Sequence, residues 1–154
     1  DVDIARVYID AIYSSHNIEH LYPHEVETAL KEFARVLRSN GYAVINCPDI
    51  QSVAELVAQD KLLDVAYESP AGPISPIDIL YGYRPSLRKG NYYMAHKCGF
   101  TKSVLTESLL NAGFKKVACI RRLKPHFELQ AIGAKSDMSK QDILNAAKEH
   151  FAGT

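Results

Sequence analysis

Residues 7–49 read VYIDAIYSSHNIEHLYPHEVETALKEFARVLRSNGYAVINCPD, and this stretch decides the fold. Its first seven residues, Val7 to Tyr13, are mostly β-branched or aromatic, with Asp10 as the one charge. Such a run fits a strand buried on both faces, as in a parallel sheet. Ser14-Ser15-His16-Asn17 then breaks it with small polar residues. Pro23 stands at a favoured first helical position, and Val26, Leu30, Phe33 and Leu37 recur at helical spacing to give one apolar stripe. Glu25 and Glu27 near the start and Lys31, Arg35 and Arg38 near the end match the helix dipole. Ser39-Asn40-Gly41 predicts the helix stop. Tyr42 to Cys47 reads as a second buried strand closed by Pro48-Asp49, and Asp49 can cap a helix reaching about Ala58.

Working outward, residues 64–99 hold Pro70, Pro73, Pro76 and Pro85 together with five of the nine tyrosines. A structureless loop of that length is unusual in a compact domain, so a folded, functional excursion is expected. Thr101 caps a helix through Ala112, ended by Gly113. Lys116 to Arg121 and Phe127 to Ala134 are strands joined through Pro125, and so short a connection requires an antiparallel pair. Ser139 and Asp142 form a capping box for a last helix carrying Ile143, Ala147 and Phe151 on one face. The alternation of strands and helices predicts an α/β fold. It is a Rossmann-like, mostly parallel sheet with helices on both faces and a terminal antiparallel hairpin strand. Residues 1–134 are read as the α/β domain, with 64–99 as its insertion and 135–154 as a C-terminal helix.

The 154 residues suit one domain, and 18 basic against 18 acidic side chains give no footprint for nucleic acid or an anionic membrane. No apolar run approaches the ~18–20 residues that span a bilayer. Cys47, Cys98 and Cys119 form no CxxC pair, which argues against a disulfide framework and for a cytoplasmic setting. The chain opens Asp1-Val2-Asp3 without an initiator methionine or a signal peptide, which points to processing or to a boundary cut inside a longer sequence.

In an open α/β sheet, ligands sit outside the carboxyl ends of the strands. Two such ends are visible: Ser14-Ser15-His16-Asn17, and Asn46-Cys47-Pro48-Asp49. The run DAIYSSHNIEHL, followed by a helix ending FARVLRSNGYAVINCPD, resembles the C-terminal half of class I S-adenosylmethionine-dependent methyltransferases of the type 11 kind. In that family a strand ending in small residues precedes an E-H-L turn, here Glu19-His20-Leu21. A helix then ends in R-V-L-x-x-G-G, here Arg35 to Gly41 with Asn40 in place of the first glycine. Gly99-Phe100-Thr101 and Ala112-Gly113-Phe114 resemble the start and close of the family's last helix. The resemblance spans about residues 7 to 134.

What it implies comes with a departure. The family's glycine-rich loop, its ribose-binding acidic residue and its adenine-side residues have no counterpart, and no G-x-G occurs in the sequence. The N-terminal part of the fold, which defines the cofactor site, is therefore expected to be missing. An internal strand stripped of its neighbour becomes an exposed edge. That edge is expected to pair with a second copy of the chain or with an upstream segment.

By resemblance, the cofactor is S-adenosyl-L-methionine, lined by Ser14, Ser15 and His16, and the acceptor is a small molecule or glycan. Asn17, Pro48, Tyr81 and His96 are candidates for binding it. His16 and Asp49 are the leading candidates for a catalytic base, ahead of His20, which reads as structural. Two further readings stand beside this one. His16-Asn17-Ile18-Glu19-His20 fits H-x-x-E-H, a zinc-peptidase pattern that His24 extends, although it needs one helix through all five residues. A methyltransferase-like fold without catalysis, serving as an interaction module, is the other. No metal is expected on the methyltransferase reading.

Overall fold

The computed structural model describes residues 9–151. A four-stranded sheet runs in the order β1 (Ile9–Ser15), β2 (Leu37–Pro48), β6 (Glu128–Ala134), β5 (Lys116–Arg122). β1 and β2 are parallel, while β6 pairs antiparallel with both β2 and β5. Three strands therefore point one way, and the return strand of the terminal hairpin is inserted between β2 and β5. A separate two-stranded ribbon is formed by β3 (Tyr67–Ser69) and β4 (Gly72–Ile74).

Alternation along the central strands sorts the core into two faces. Ala43, Ile45 and Cys47 of β2 and Leu129 and Ala131 of β6 pack with Val26, Leu30 and Ala34 of helix α1 (Pro23–Val36). Leu105 and Leu109 of helix α5 (Lys102–Asn111) complete that layer. Val44 and Ile132 face the other way, against Ala146, Ala147 and Phe151 of helix α6 (Lys140–Phe151). Helices thus cover both faces. Among the described residues, no helix is long and apolar enough to cross a membrane.

The caps read from sequence are made. Asp49 accepts from the Gln51 amide at the start of helix α2 (Ile50–Val57), Thr101 accepts from Val104, and Ser139 and Asp142 exchange hydrogen bonds. Two boundaries differ from expectation. Helix α1 stops at Val36, so Leu37 leaves the helical stripe and opens β2 while still fully buried. Ser39-Asn40-Gly41 is then no helix stop. The register jumps from Ile9–Leu37 to Ala11–Tyr42, so these residues form an irregularity inside β2. Ser14 and Ser15, read as a break, instead continue β1, paired with Ile45 and Asn46.

β1 is also not buried on both faces. Ile9, Asp10, Ala11 and Tyr13 are exposed, because no strand among the described residues pairs with its outer edge. Val7 and Tyr8 of the expected strand lie outside the described residues. The 64–99 excursion is folded: the β3–β4 ribbon leads into helices α3 (Pro76–Tyr81) and α4 (Arg84–Arg88) and a single 3₁₀ turn at Tyr92–Met94. Gly82, which ends α3, has φ 98°, and a Cβ there would collide with the Met94 carbonyl oxygen. This glycine lets the excursion fold back on itself.

Candidate active site

Because β1 and β2 are parallel, their carboxyl ends open at one side of the sheet. The His16 amide donates to the Asn46 carbonyl at 2.9 Å, and His16 then turns the chain out of the sheet in a left-handed conformation, φ 48°. A single 3₁₀ turn follows at Ile18–His20. Ile18 anchors it in the core, which carries Glu19 to 1% exposure. The Glu19 carbonyl accepts the amides of Lys97 at 2.8 Å and Cys98 at 3.3 Å. The end of the excursion is thereby tied to the strand-end turn.

That tie brings two histidines together. The His20 and His96 rings meet edge to face with centroids 4.9 Å apart. His20 Nδ1 lies 3.1 Å from the Ala95 carbonyl and His96 Nδ1 lies 2.8 Å from the Ile79 carbonyl. A carbonyl oxygen only accepts, so each Nδ1 carries a proton, and in the neutral tautomer this fixes, the lone pair lies on Nε2. Burial pushes His96 below the usual histidine range and favours that neutral form.

His16 is in the opposite state. Its Nε2 lies 3.4 Å from Glu128 Oε2 and its Nδ1 lies 3.4 Å from Glu19 Oε1. Glu128 first and Glu19 second outweigh burial and raise its pKa to about 9. At neutral pH this half-exposed imidazole is charged, so it can donate a proton but cannot serve as the base. Glu128 also accepts from Arg122 Nη1 and Gln130 Nε2, each at 3.0 Å. Burial raises its pKa, but His16 and Arg122 prevail and hold it below the usual carboxylate range.

These groups wall a cavity of about 280 Å³ lined by His16, Glu19, His20, Pro48, Tyr67 and His96, among others. A larger hollow of about 490 Å³, lined by Pro73, Asp78, Arg84 and Arg88, lies on the excursion and holds no strand-end residue. The smaller cavity is the one at the sheet's ligand-binding edge. Of the residues singled out in the sequence, it gathers His16, Pro48, His20 and His96. Ser14, at the β1 end, is buried with its hydroxyl lacking a hydrogen-bond partner, as is Asn46 Oδ1, and neither residue lines the cavity. Ser15 is half-buried and Asn17 is exposed. Tyr81 is 63% exposed and contributes its backbone, accepting the His96 amide.

Asp49 does not join them. Its side chain is fully buried and spent: Oδ1 accepts from the Gln51 amide, and Oδ2 accepts from Ser52 Oγ and Arg121 Nε at 2.6 Å each. The zinc-peptidase reading fails on its own requirement. No helix runs through His16–His20, and His24 is exposed, stacked on Tyr22. The thiols are inert, since burial pushes Cys98 and Cys119 up to about 11 and Cys47 higher still. Glu128 went unnoticed in the sequence, although one acid inside the apolar run FELQAI was its visible signal.

Comparison with known proteins agrees with the architecture. Residues 1–45 match the family described as Methyltransferase domain. A solved 1,6-didemethyltoxoflavin-N1-methyltransferase from Burkholderia thailandensis, with bound 1,6-didemethyltoxoflavin and S-adenosylhomocysteine, is similar over 85% of this chain and 45% of its own, at 18% identity and TM-score 0.50. The chain has the fold of part of a class I methyltransferase. The CMeT domain of the citrinin polyketide synthase matches over 86% of this chain and 29% of its own, at 12% identity and TM-score 0.51. A possible exported protein from Bordetella parapertussis matches over 85% and 40%, at 18% identity and TM-score 0.50. The chain thus spans less than half the length of each of these three structures. No curated protein sequence matches it.

Proposed function

We propose that the chain supplies the acceptor side of an S-adenosylmethionine-dependent methyltransferase whose acceptor is a small molecule or glycan methylated on oxygen or nitrogen. The observation that carries this reading is the cavity where the parallel β1 and β2 ends open together, with the buried Ser14 hydroxyl at the β1 end left without a hydrogen-bond partner. Buried polar atoms are rarely left unpaired, and a ligand is a common reason when they are. Ser14, Ser15 and His16 fit the methyl-bearing end of the cofactor. The glycine-rich loop and the ribose-binding acid have to come from outside these 154 residues.

When bound, the cofactor supplies a methyl group on a sulfonium, whose C–S electron pair stays on sulfur as an acceptor lone pair forms the new bond. The donor is already activated, so positioning is the main demand on the protein. Pro48 and Tyr67 give the acceptor an apolar wall. The Nε2 lone pairs of His20 and His96 receive the hydrogen bond of its O–H or N–H. The His16 imidazolium, held by two carboxylates, orients polar groups near the β1 end and takes up no proton.

The test is a calorimetric titration of S-adenosylhomocysteine, with Ser14→Val as the comparison, followed by methyl-label transfer to a panel of hydroxyl and amine acceptors. Binding that weakens about tenfold in Ser14→Val is expected, the cost of one lost hydrogen bond to a buried hydroxyl. Absence of binding, both in this chain and in one extended upstream, would overturn the reading in favour of a non-catalytic interaction module.

A further inference from the structure

One feature of the cavity exceeds what methyl transfer requires. Glu19 is 1% exposed, lines the cavity, and neither of its carboxylate oxygens has a hydrogen-bond partner. A buried carboxylate without hydrogen bonds is costly unless charged groups around it compensate. His16 stands on one side only, at 3.4 Å and half-exposed. One ligand atom from each of Glu19, His20 and His96 lies within 4.8 Å of the others, and all three residues line the cavity.

The histidines are prepared as metal ligands are. Each gives its Nδ1 proton to a backbone carbonyl, Ala95 for one and Ile79 for the other, which fixes the ring and leaves Nε2 free. The backbone is fixed as well, since the Glu19 carbonyl holds the amides of Lys97 and Cys98 next to His96. Two imidazoles and one carboxylate suit a first-row divalent transition ion, and three protein ligands leave a coordination position open.

We propose that Glu19, His20 and His96 form a three-ligand site for a divalent transition ion of the zinc type, with its open position turned to the cavity. There the ion would take a hydroxyl oxygen of the acceptor and make its proton more acidic. The two lone pairs then serve as ligands, and coordination replaces direct hydrogen bonding to the acceptor. A tetrahedral ion with bonds of ~2.0–2.1 Å needs ligand atoms about 3.3 Å apart. The trio therefore closes by small side-chain rotations on binding. This role for the ion rests on the cavity being the acceptor site, whereas ion binding itself does not.

The experiment titrates zinc chloride calorimetrically into the untagged, chelator-treated 154-residue chain. One ion per chain is expected, with affinity falling at least tenfold in Glu19→Gln and in His96→Ala but unchanged in His24→Ala. Circular dichroism confirms that each variant is folded. Cobalt(II) added to the unmutated chain gives a second readout independent of any variant. The intense visible bands of a low-coordinate ion support the site, and the weak bands of a hexa-aqua-like ion overturn it. No zinc binding, or equal binding in all variants, also overturns it. Titration of S-adenosylhomocysteine in parallel separates the two readings. Zinc binding with no cofactor binding, either in this chain or in one extended upstream, keeps the metal site and removes the methyltransferase, and cofactor binding without zinc binding removes the metal site alone.

Discussion

Two carboxylates at the strand-end edge are almost equally buried and could hardly be treated more differently. Asp49 is 0% exposed, and its two oxygens meet a backbone amide, a serine hydroxyl and the Arg121 guanidinium. Glu19 is 1% exposed, and neither of its oxygens has a hydrogen-bond partner. Folding accounts for the first acid completely: it caps α2 and ties that helix to β5 through Arg121. Folding gives the second only the half-exposed His16 imidazolium, at 3.4 Å. Burial alone therefore does not mark a functional acid, whereas burial combined with unmet hydrogen bonding does.

The strongest way to break the comparison is at Arg121. Its replacement by alanine leaves the Asp49 charge fully buried with only neutral donors. Loss of one partner of a buried pair costs about 3–5 kcal/mol, and urea unfolding of Arg121→Ala should show a loss in that range. A near-neutral result would mean that Asp49 does not depend on its cation. A smaller effect is expected at Gly82. Its φ of 98° and the nearby Met94 carbonyl oxygen leave no room for a Cβ. Gly82→Ala should cost about 1–3 kcal/mol, read from the same unfolding curves. Because the displaced backbone carries His96, this variant should also weaken zinc binding. Full stability with unaltered zinc affinity would show that the fold-back does not position His96.

The legible parts of the sequence were those set by local chemistry. Asp49, Thr101 and Ser139 cap the helices read from them, because a capping bond reaches only two or three residues along the chain. The hydrophobic stripe of α1 was equally clear, apart from Leu37, whose burial in β2 looks the same as burial in a helix. Long-range pairing was not legible. The partnership of Asp49 with Arg121 spans 72 positions and that of His20 with Ala95 spans 75, and no spacing rule reaches so far. That is why Asp49 and His16 read as bases in the sequence. One turns out to be saturated by Arg121 and Ser52, and the other is protonated between Glu19 and Glu128. His96 was singled out, but its companionship with Glu19 and His20 appeared only once the excursion was folded.

The most direct test sets the two acids side by side, as Asp49→Asn and Glu19→Gln, with unfolding by urea in chelator-containing buffer. Asp49→Asn should lose about 2–4 kcal/mol, since the charge-assisted bonds to Arg121 and Ser52 go with the carboxylate. Glu19→Gln should lose less than about 1 kcal/mol, since the interaction that goes with its charge is the 3.4 Å ion pair to half-exposed His16. A Glu19→Gln loss as large as that of Asp49→Asn would contradict the account, because Glu19 would then be a structural acid like its neighbour.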